Sequence, residues 1–278
     1  MINDATHCPS LVALADGIGA TNRVHCIARD DVIPGITLKS LERLPAEVRG
    51  WIFQQLVKFG AALHLADLSP LFLVWDSDLL PLRPIPLFSY ISSLDQPRGT
   101  FFAGHMAAHN AKARENYHGM YEVLTGLKLI DPPGGSWIFG WQVWYRPYVE
   151  ELLHHIAAKA GRDHSEWAQV IIDTIVREAK ARPGMIMRNS FSEYDSYGSW
   201  VWTRHPQHVD FWHKSDDLWI RYPKPLKKGE CCPTYKTLCA LTQKYVYVPW
   251  ENHKFDSCTA KVIHNTQHTL RPPAQPSQ

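Results

Sequence analysis

The stretch that most limits what this chain can fold into is an apolar run ending in two carboxylates, Leu71-Phe72-Leu73-Val74-Trp75-Asp76-Ser77-Asp78. Four or five large apolar residues bounded by charge read as a strand covered on both faces, as in a mainly parallel sheet. Asp76 and Asp78 then stand at its carboxyl end, where open α/β sheets bind ligands, and residues i and i+2 of an extended segment project to one side. Two hard oxygen donors there suit Mn²⁺ or Mg²⁺, whose other positions are filled by water and phosphate oxygens. The expectation is a metal-assisted diphosphate site. An Asp-x-Asp pair also occurs in surface turns, where it only solvates a loop or caps a helix. Here Leu79-Leu80-Pro81-Leu82-Arg83-Pro84-Ile85 follows, and its prolines exclude an ordinary helix and hold the chain extended between two apolar segments.

Length and charge set the remaining bounds. A chain of 278 residues can bury one large α/β domain with a small appendage. A net charge of +2 gives no electrostatic case for a nucleic-acid partner. No apolar run approaches the length of a membrane span, so no transmembrane segment is expected, and the first residues are too polar for a secretory signal. Six cysteines without regular spacing favour a reduced, cytoplasmic chain, in the producing cell or an infected host cell. Cys231, Cys232, Cys239 and Cys258, with His253 nearby, lack the paired short knuckles of structural zinc sites. Eleven Trp and eleven Tyr supply flat rings that stack on sugar faces as readily as they fill a core.

Periodicity places the elements. A short helix over 9–20 and a strand over 23–28 are expected near the start. Trp51, Ile52, Leu56, Phe59 and Leu63 recur at helical spacing, so 47–65 reads as a helix carrying Gln54, Gln55 and Lys58 on a face that is either solvated or in contact with ligand. A strand is expected over 101–105, then a loop into a helix by Tyr121. His105, His109 and His118 in that region have no paired acid and read as ordinary hydrogen-bonded residues. After the turn signal Pro132-Pro133-Gly134-Gly135 a strand is expected through Trp141, Gln142 and Trp144. Helices over 148–160 and 165–181 follow, Ser165 as cap of the second, with Glu150, Glu151, His154 and His155 on the solvated side. Ser190-Phe191-Ser192-Glu193-Tyr194-Asp195-Ser196-Tyr197-Gly198 is too polar for a core and too aromatic for a linker, which suggests a site wall. Glu193 there is either catalytic or a cap of a helix beginning near Tyr194. Beyond Trp202 the chain turns basic, aromatic and proline-rich, and the tail over 266–278 reads as disordered.

Three of these segments together resemble a known family. Trp75-Asp76-Ser77-Asp78 with Pro-Leu-Arg-Pro, Gly50-Trp51-Ile52-Phe53-Gln54-Gln55-Leu56-Val57-Lys58, and Phe191-Ser192-Glu193-Tyr194-Asp195-Ser196-Tyr197-Gly198 resemble a poorly characterised group of GT-A glycosyltransferases from bacteria, algae and their large viruses. The likeness covers roughly 24–202. It implies a Rossmann-type, mainly parallel sheet flanked by helices, and transfer from a nucleoside-diphosphate sugar to a glycan acceptor with Mn²⁺ or Mg²⁺ on Asp76 and Asp78. UDP-xylose, UDP-glucose or UDP-galactose are the donors implied first. Trp75, Gln55 and Lys58 fall to the donor, Lys58 to a phosphate, and a C-terminal histidine among His205, His208 and His213 completes the metal shell, with His213 taken as that ligand. Gly140-Trp141-Gln142 stands where relatives carry a His-rich turn facing the acceptor, so Trp141 and Gln142, with Tyr194, are acceptor candidates; Trp141 reads almost equally as core. An inverting transfer needs a carboxylate to take the acceptor proton, Glu193 first and Asp195 second.

The same resemblance leaves the start of the chain short of the usual first strand and helix, with Asp4 and Thr6 as the only nearby nucleotide contacts. The organisation expected is a transferase core over 1–202, a packed extension over 203–265 and the tail. Two other classes remain open, a silent glycan-binding domain on the same scaffold and a metal-dependent nucleotidyltransferase.

Overall fold

The computed structural model describes residues 2–3, 6–17, 24–77, 79–82, 99–103, 111–132, 136–138, 140–182, 190–213, 235–245 and 247–249. In chain order its elements are β1 (Ile2–Asn3), α1 (Cys8–Gly17), β2 (Ile27–Ala28), α2 (Ala46–His64), β3 (Leu71–Trp75), β4 (Leu79–Pro81), β5 (Gly99–Ala103) and α3 (Ala111–Thr125). They continue as β6 (Trp141–Tyr145), α4 (Arg146–Lys159), α5 (Trp167–Ala181), α6 (Glu193–Arg204), β7 (Val209–His213), α7 (Tyr235–Lys244) and β8 (Tyr247–Pro249). The protein therefore mixes helix and sheet, as an α/β chain must. Its described strands form two-stranded pairs: β1 with β2 and β5 with β7 run parallel, β4 with β8 antiparallel, and β3 lies beside β6.

Two compact units share the chain. One comprises Met1–Val74 and Phe88–His213, the other Trp75–Leu87 and Lys214–Gln278. In the first unit β7 pairs with β5 along its length, and in the second β4, within Trp75–Leu87, pairs with β8. Residues 266–278 lie outside the described part.

In the larger unit α4 packs against α2, α3, α5 and α6. Each helix begins where its sequence says it can. Pro45 precedes α2, and Glu47 sits in its first turn, where the helix dipole favours a negative charge. Pro147 stands in the first turn of α4, where its missing N–H costs nothing. Ahead of α5, Asp163 caps a short 3₁₀ turn over His164–Glu166, accepting from the Ser165 N–H and forming a reciprocal box with Glu166; α5 follows without a side-chain cap of its own, so Ser165 is not its cap. Val48, Ile52, Leu56 and Phe59 of α2, Leu152 and Ile156 of α4, and Ile171 and Ile175 of α5 meet in one core. At its centre is the buried Trp144, with ring centroids 5.1 Å from Phe59 and 5.0 Å from Tyr197. β3 is less enclosed than its composition suggests. Val74 is buried, but Leu71 and Phe72 are half-buried and Leu73 is 36% exposed, so the strand is not covered on both faces.

Helix α6 departs furthest from expectation. Its segment looked too polar for a core, yet every residue from Glu193 to Val201 is buried. Burial is tolerated because the polar groups are met. Ser192 caps the helix by accepting from the Asp195 N–H, Ser196 Oγ donates to the Ser192 carbonyl, and Ser199 Oγ accepts from Ile130 N–H at 2.9 Å. The Tyr197 hydroxyl accepts from the Tyr145 N–H at 2.8 Å, and its burial pushes the phenol pKa up. Gly198 leaves room for the Trp137 indole against the helix. A Cβ at Gly198 would stand 2.4 Å from Trp137 Cδ2. Gly198→Ala is therefore expected to destabilise the fold by about 1–3 kcal/mol, read from the denaturant midpoint; an unchanged midpoint would mean that the buried ring can move aside.

Candidate functional site

The first turn of α6 carries two carboxylates, and each meets a cation from a different helix. Glu193, 1% exposed, receives Lys58 Nζ from α2 at 2.6 Å. Gln55, one helical turn before Lys58 and also buried, donates to both Glu193 oxygens when its amide nitrogen faces them, at 3.1 Å to Oε1. Lys58 lies over the Tyr194 ring at 4.3 Å from the centroid. Its side chain is 12% exposed, so this pair reaches the surface through the lysine. The helix dipole adds to the preference of this position for a negative charge.

Asp195 is more completely enclosed. It is 0% exposed, and Arg114 of α3 meets both of its oxygens from Nη1 at 2.9 Å. The Trp137 N–H donates to it as well, at 3.4 Å. Arg114 also reaches Ser136 Oγ, His118 Nε2 and, in close contact, Asp131. Burial first, then the Arg114 guanidinium, holds the His118 imidazole below its usual range, while Asp195 pulls the other way. His118 Nε2 stands 3.3 Å from Arg114 Nη2 and 3.2 Å from the Asp131 carboxylate, so folding supplies the paired acid that its local sequence lacks. The network fixes the guanidinium against Asp195 from several sides.

Gln55, Lys58, Glu193 and Tyr194 are therefore brought together, as separate donor, base and acceptor assignments did not foresee. Trp141 and Gln142, expected at the acceptor, lie in the interior. Gln142 Nε2 donates to the carbonyls of Trp137 and Tyr194 at 2.9 and 3.2 Å, and its Oε1 accepts from Trp144 Nε1 at 2.8 Å. All of these contacts join β6 to α6 and the core, which gives Gln142 a structural task. Tyr194 is likewise buried, its ring between Lys58 and Trp144.

Further corrections concern the charged face of α4. His155 is half-buried, its Nε2–H donating to the Thr125 carbonyl at 2.7 Å and its ring against Trp200. Glu151 pairs with His205 at 2.6 Å. Tyr148 stacks on His205 with centroids 3.9 Å apart, and its hydroxyl meets His208 Nδ1. His205 and His208 are thus engaged with α4. His213 ends β7 opposite Ala103, and its side chain lies outside the described residues, as do Asp78, His105 and His109.

In the smaller unit, Asp76 follows the last residue of β3 directly and is half-buried. Its carbonyl accepts from the Leu79 N–H at 3.1 Å, closing a turn that leads into β4. Trp75, proposed for the donor, turns its indole N–H to the Leu79 carbonyl at 3.0 Å and sets its ring 5.9 Å from Tyr247. Among the described residues no group of three or more His, Cys, Asp or Glu side chains is placed to hold a metal ion. Asp76 by itself offers the hard oxygen, at the end of a strand, that Mn²⁺ or Mg²⁺ prefers.

The sequence reading missed Arg114 altogether. A single arginine in the first turn of a polar helix carries no local signal of a partner 81 residues away. It also took the cysteines as reduced, whereas Cys8 and Cys26 are joined in a disulfide.

Residues 18–229 match the family of unknown function DUF6492. The chain belongs to that family. The matched span includes both carboxylates of α6, their cations and the Asp76 turn. No match was found among curated proteins or among solved structures. No described helix is long and apolar enough to cross a membrane.

Proposed function

We propose that this DUF6492 chain is a metal-dependent glycosyltransferase of GT-A type, moving a sugar from a nucleoside-diphosphate donor to a glycan hydroxyl with inversion. The observation that carries the reading is an Asp-x-Asp sequence starting at the carboxyl end of β3, with Asp76 held in an ordered turn. The parallel pairs β1–β2 and β5–β7 are compatible with the Rossmann-type sheet that such an enzyme needs. Asp76 and Asp78 would hold Mn²⁺ or Mg²⁺, which supplies positive charge for the departing diphosphate.

Two features favour Glu193 over Asp195 as the base in this reading. Asp195 is sealed and held through both oxygens by an arginine, which keeps its charge whatever the pH. Glu193 shares its charge with a lysine whose side chain reaches solvent. In this reading Lys58 exchanges Glu193 for a donor phosphate oxygen. Glu193 then takes the proton of the acceptor hydroxyl, as that oxygen bonds to the anomeric carbon and the bond to the diphosphate breaks. Asp195 and Arg114 keep the start of α6 in place.

The test is a panel of UDP- and GDP-sugars with Mn²⁺ and glycan acceptors, read by the nucleotide released. Acceptor-dependent release of nucleoside diphosphate is expected, with UDP-sugars as the preferred donors. Pyrophosphate released from a nucleoside triphosphate would point to a nucleotidyltransferase instead. Glycan binding without either product would leave a silent binding domain.

A further inference from the structure

Glu193 and Asp195 are both buried at the start of α6, but the partners that meet them differ in kind. Among the described residues Asp195 is met by the Arg114 guanidinium and the Trp137 N–H, groups that can only donate. They suit a carboxylate and offer nothing to the hydroxyl of a carboxylic acid. Glu193 is met by Lys58, which also only donates, and by Gln55, which does not share that limit. A side-chain amide carries a donor and an acceptor on one planar group, and a half-turn about its last bond exchanges them. With its nitrogen toward Glu193, Gln55 donates to Oε2 in close contact and lies 3.1 Å from Oε1. With its oxygen toward Glu193, the same amide repels a carboxylate and accepts from a carboxylic acid. Gln55 is 2% exposed and Glu193 1% exposed, so the amide, and not bulk water, serves this carboxyl group.

We propose that Gln55 is a positioning residue that lets Glu193 hold a proton inside the fold, its amide donating to the carboxylate before the transfer and turning to accept from the carboxylic acid after it. Lys58 first leaves Glu193 for a phosphate oxygen of the donor, and withdrawing that cation from a buried carboxylate favours uptake of a proton. The acceptor O–H bond then breaks, its electron pair forms the bond to the anomeric carbon, and the bond from that carbon to the diphosphate breaks with its pair on the diphosphate. The proton goes to Glu193, whose new hydroxyl donates to Gln55 Oε1. Loss of that proton to water and the return of Lys58 turn the amide back. The other charges at the start of α6, Asp195 and the Arg114 that grips both of its oxygens, stay fixed through the cycle. This inference rests on the reading of Glu193 as the base, but its main test needs neither donor nor acceptor.

The test is NMR of side-chain carboxyl and amide groups in the full chain carrying isotope-labelled glutamate and glutamine, with Glu193→Gln and Gln55→Met supplying the assignments. At neutral pH the parent should show Glu193 ionised and the Gln55 amide protons shifted by their bond to it. Lys58→Met removes the cation and keeps the length of the side chain. In that variant Glu193 should carry a proton, and the Gln55 amide protons should move to the positions of an amide that no longer donates to a carboxylate. If Lys58→Met does not fold, acid titration of the parent decides, and the Glu193 carboxyl and the Gln55 amide should then shift with one midpoint before the chain unfolds. An ionised Glu193 throughout the deciding measurement, or a protonated one beside unmoved Gln55 amide signals, would overturn the switch. In transfer assays Gln55→Met should lower kcat by about tenfold or more with the donor KM near that of the parent, and an unchanged kcat would overturn the role as well. Sugar transfer itself is read by the donor panel, so a failed transferase reading and a failed amide switch leave different records.

Discussion

Arg114→Ala should cost about 3–5 kcal/mol of folding stability, the usual loss when one partner of a buried ion pair is removed and the other is left charged in the interior. Asp195 has no solvent to turn to, being 0% exposed, and Arg114 is only 16% exposed. The same substitution strips hydrogen-bond partners from Ser136, His118 and Asp131. Denaturant unfolding measures the loss. Arg114→Lys should recover only part of it, because an ammonium is a compact charge and cannot present the planar fork that serves Asp195, Asp131 and His118 together. Adding Asp195→Asn to Arg114→Ala should return some stability by removing the stranded charge. A loss below about 1 kcal/mol for Arg114→Ala would place the pair with solvated surface bridges and end the idea that it organises α6.

Turnover in Glu193→Gln should fall by about 10²–10⁴-fold with the fold preserved, if the carboxylate takes the acceptor proton as proposed. Glutamine keeps the size of the side chain and an oxygen for Lys58, so the melting temperature and donor affinity should stay near those of the parent. Asp195→Asn should show the reverse pattern, a weaker fold with turnover largely retained in the molecules that remain folded. Normal turnover in Glu193→Gln would strike Glu193 from the mechanism. If that variant instead lost as much stability as Arg114→Ala, the Lys58–Glu193 pair would be scaffold on the same footing as Arg114–Asp195, and a retaining reaction without a protein base would become the better account.

These two carboxylates show where sequence reading stops. Ser190 to Gly198 is dense in charge and hydroxyls, and local composition assigns such a segment to a surface or a site wall. In the structure it is core, because partners arrive from far along the chain: Lys58 is 135 residues from Glu193 and Arg114 is 81 residues from Asp195. A polar side chain can be buried when its hydrogen bonds and charge are met, and no window of sequence around α6 contains the groups that meet them. Gln142 illustrates the same limit. Its neighbours suggest a sugar platform, but its amide bonds to Trp137, Tyr194 and Trp144, of which Tyr194 is brought close only by folding.

What the sequence determined by itself is what depends on neighbours a few residues apart. The apolar spacing over 47–65 yields α2 within a residue at each end, Arg146-Pro147 opens α4, and the apolar run at Leu71 makes β3 and delivers Asp76 to its carboxyl end. Helix periodicity, proline geometry and strand length act over one or two turns of chain, so they are written locally. Only the tertiary structure decided that α6 is buried, that Gln55 and Lys58 face Glu193, that Arg114 holds Asp195, and that Cys8 meets Cys26. Each of those depends on which distant segments the core brings together, and that choice belongs to the packing of α2, α3, α4 and α6 as a set.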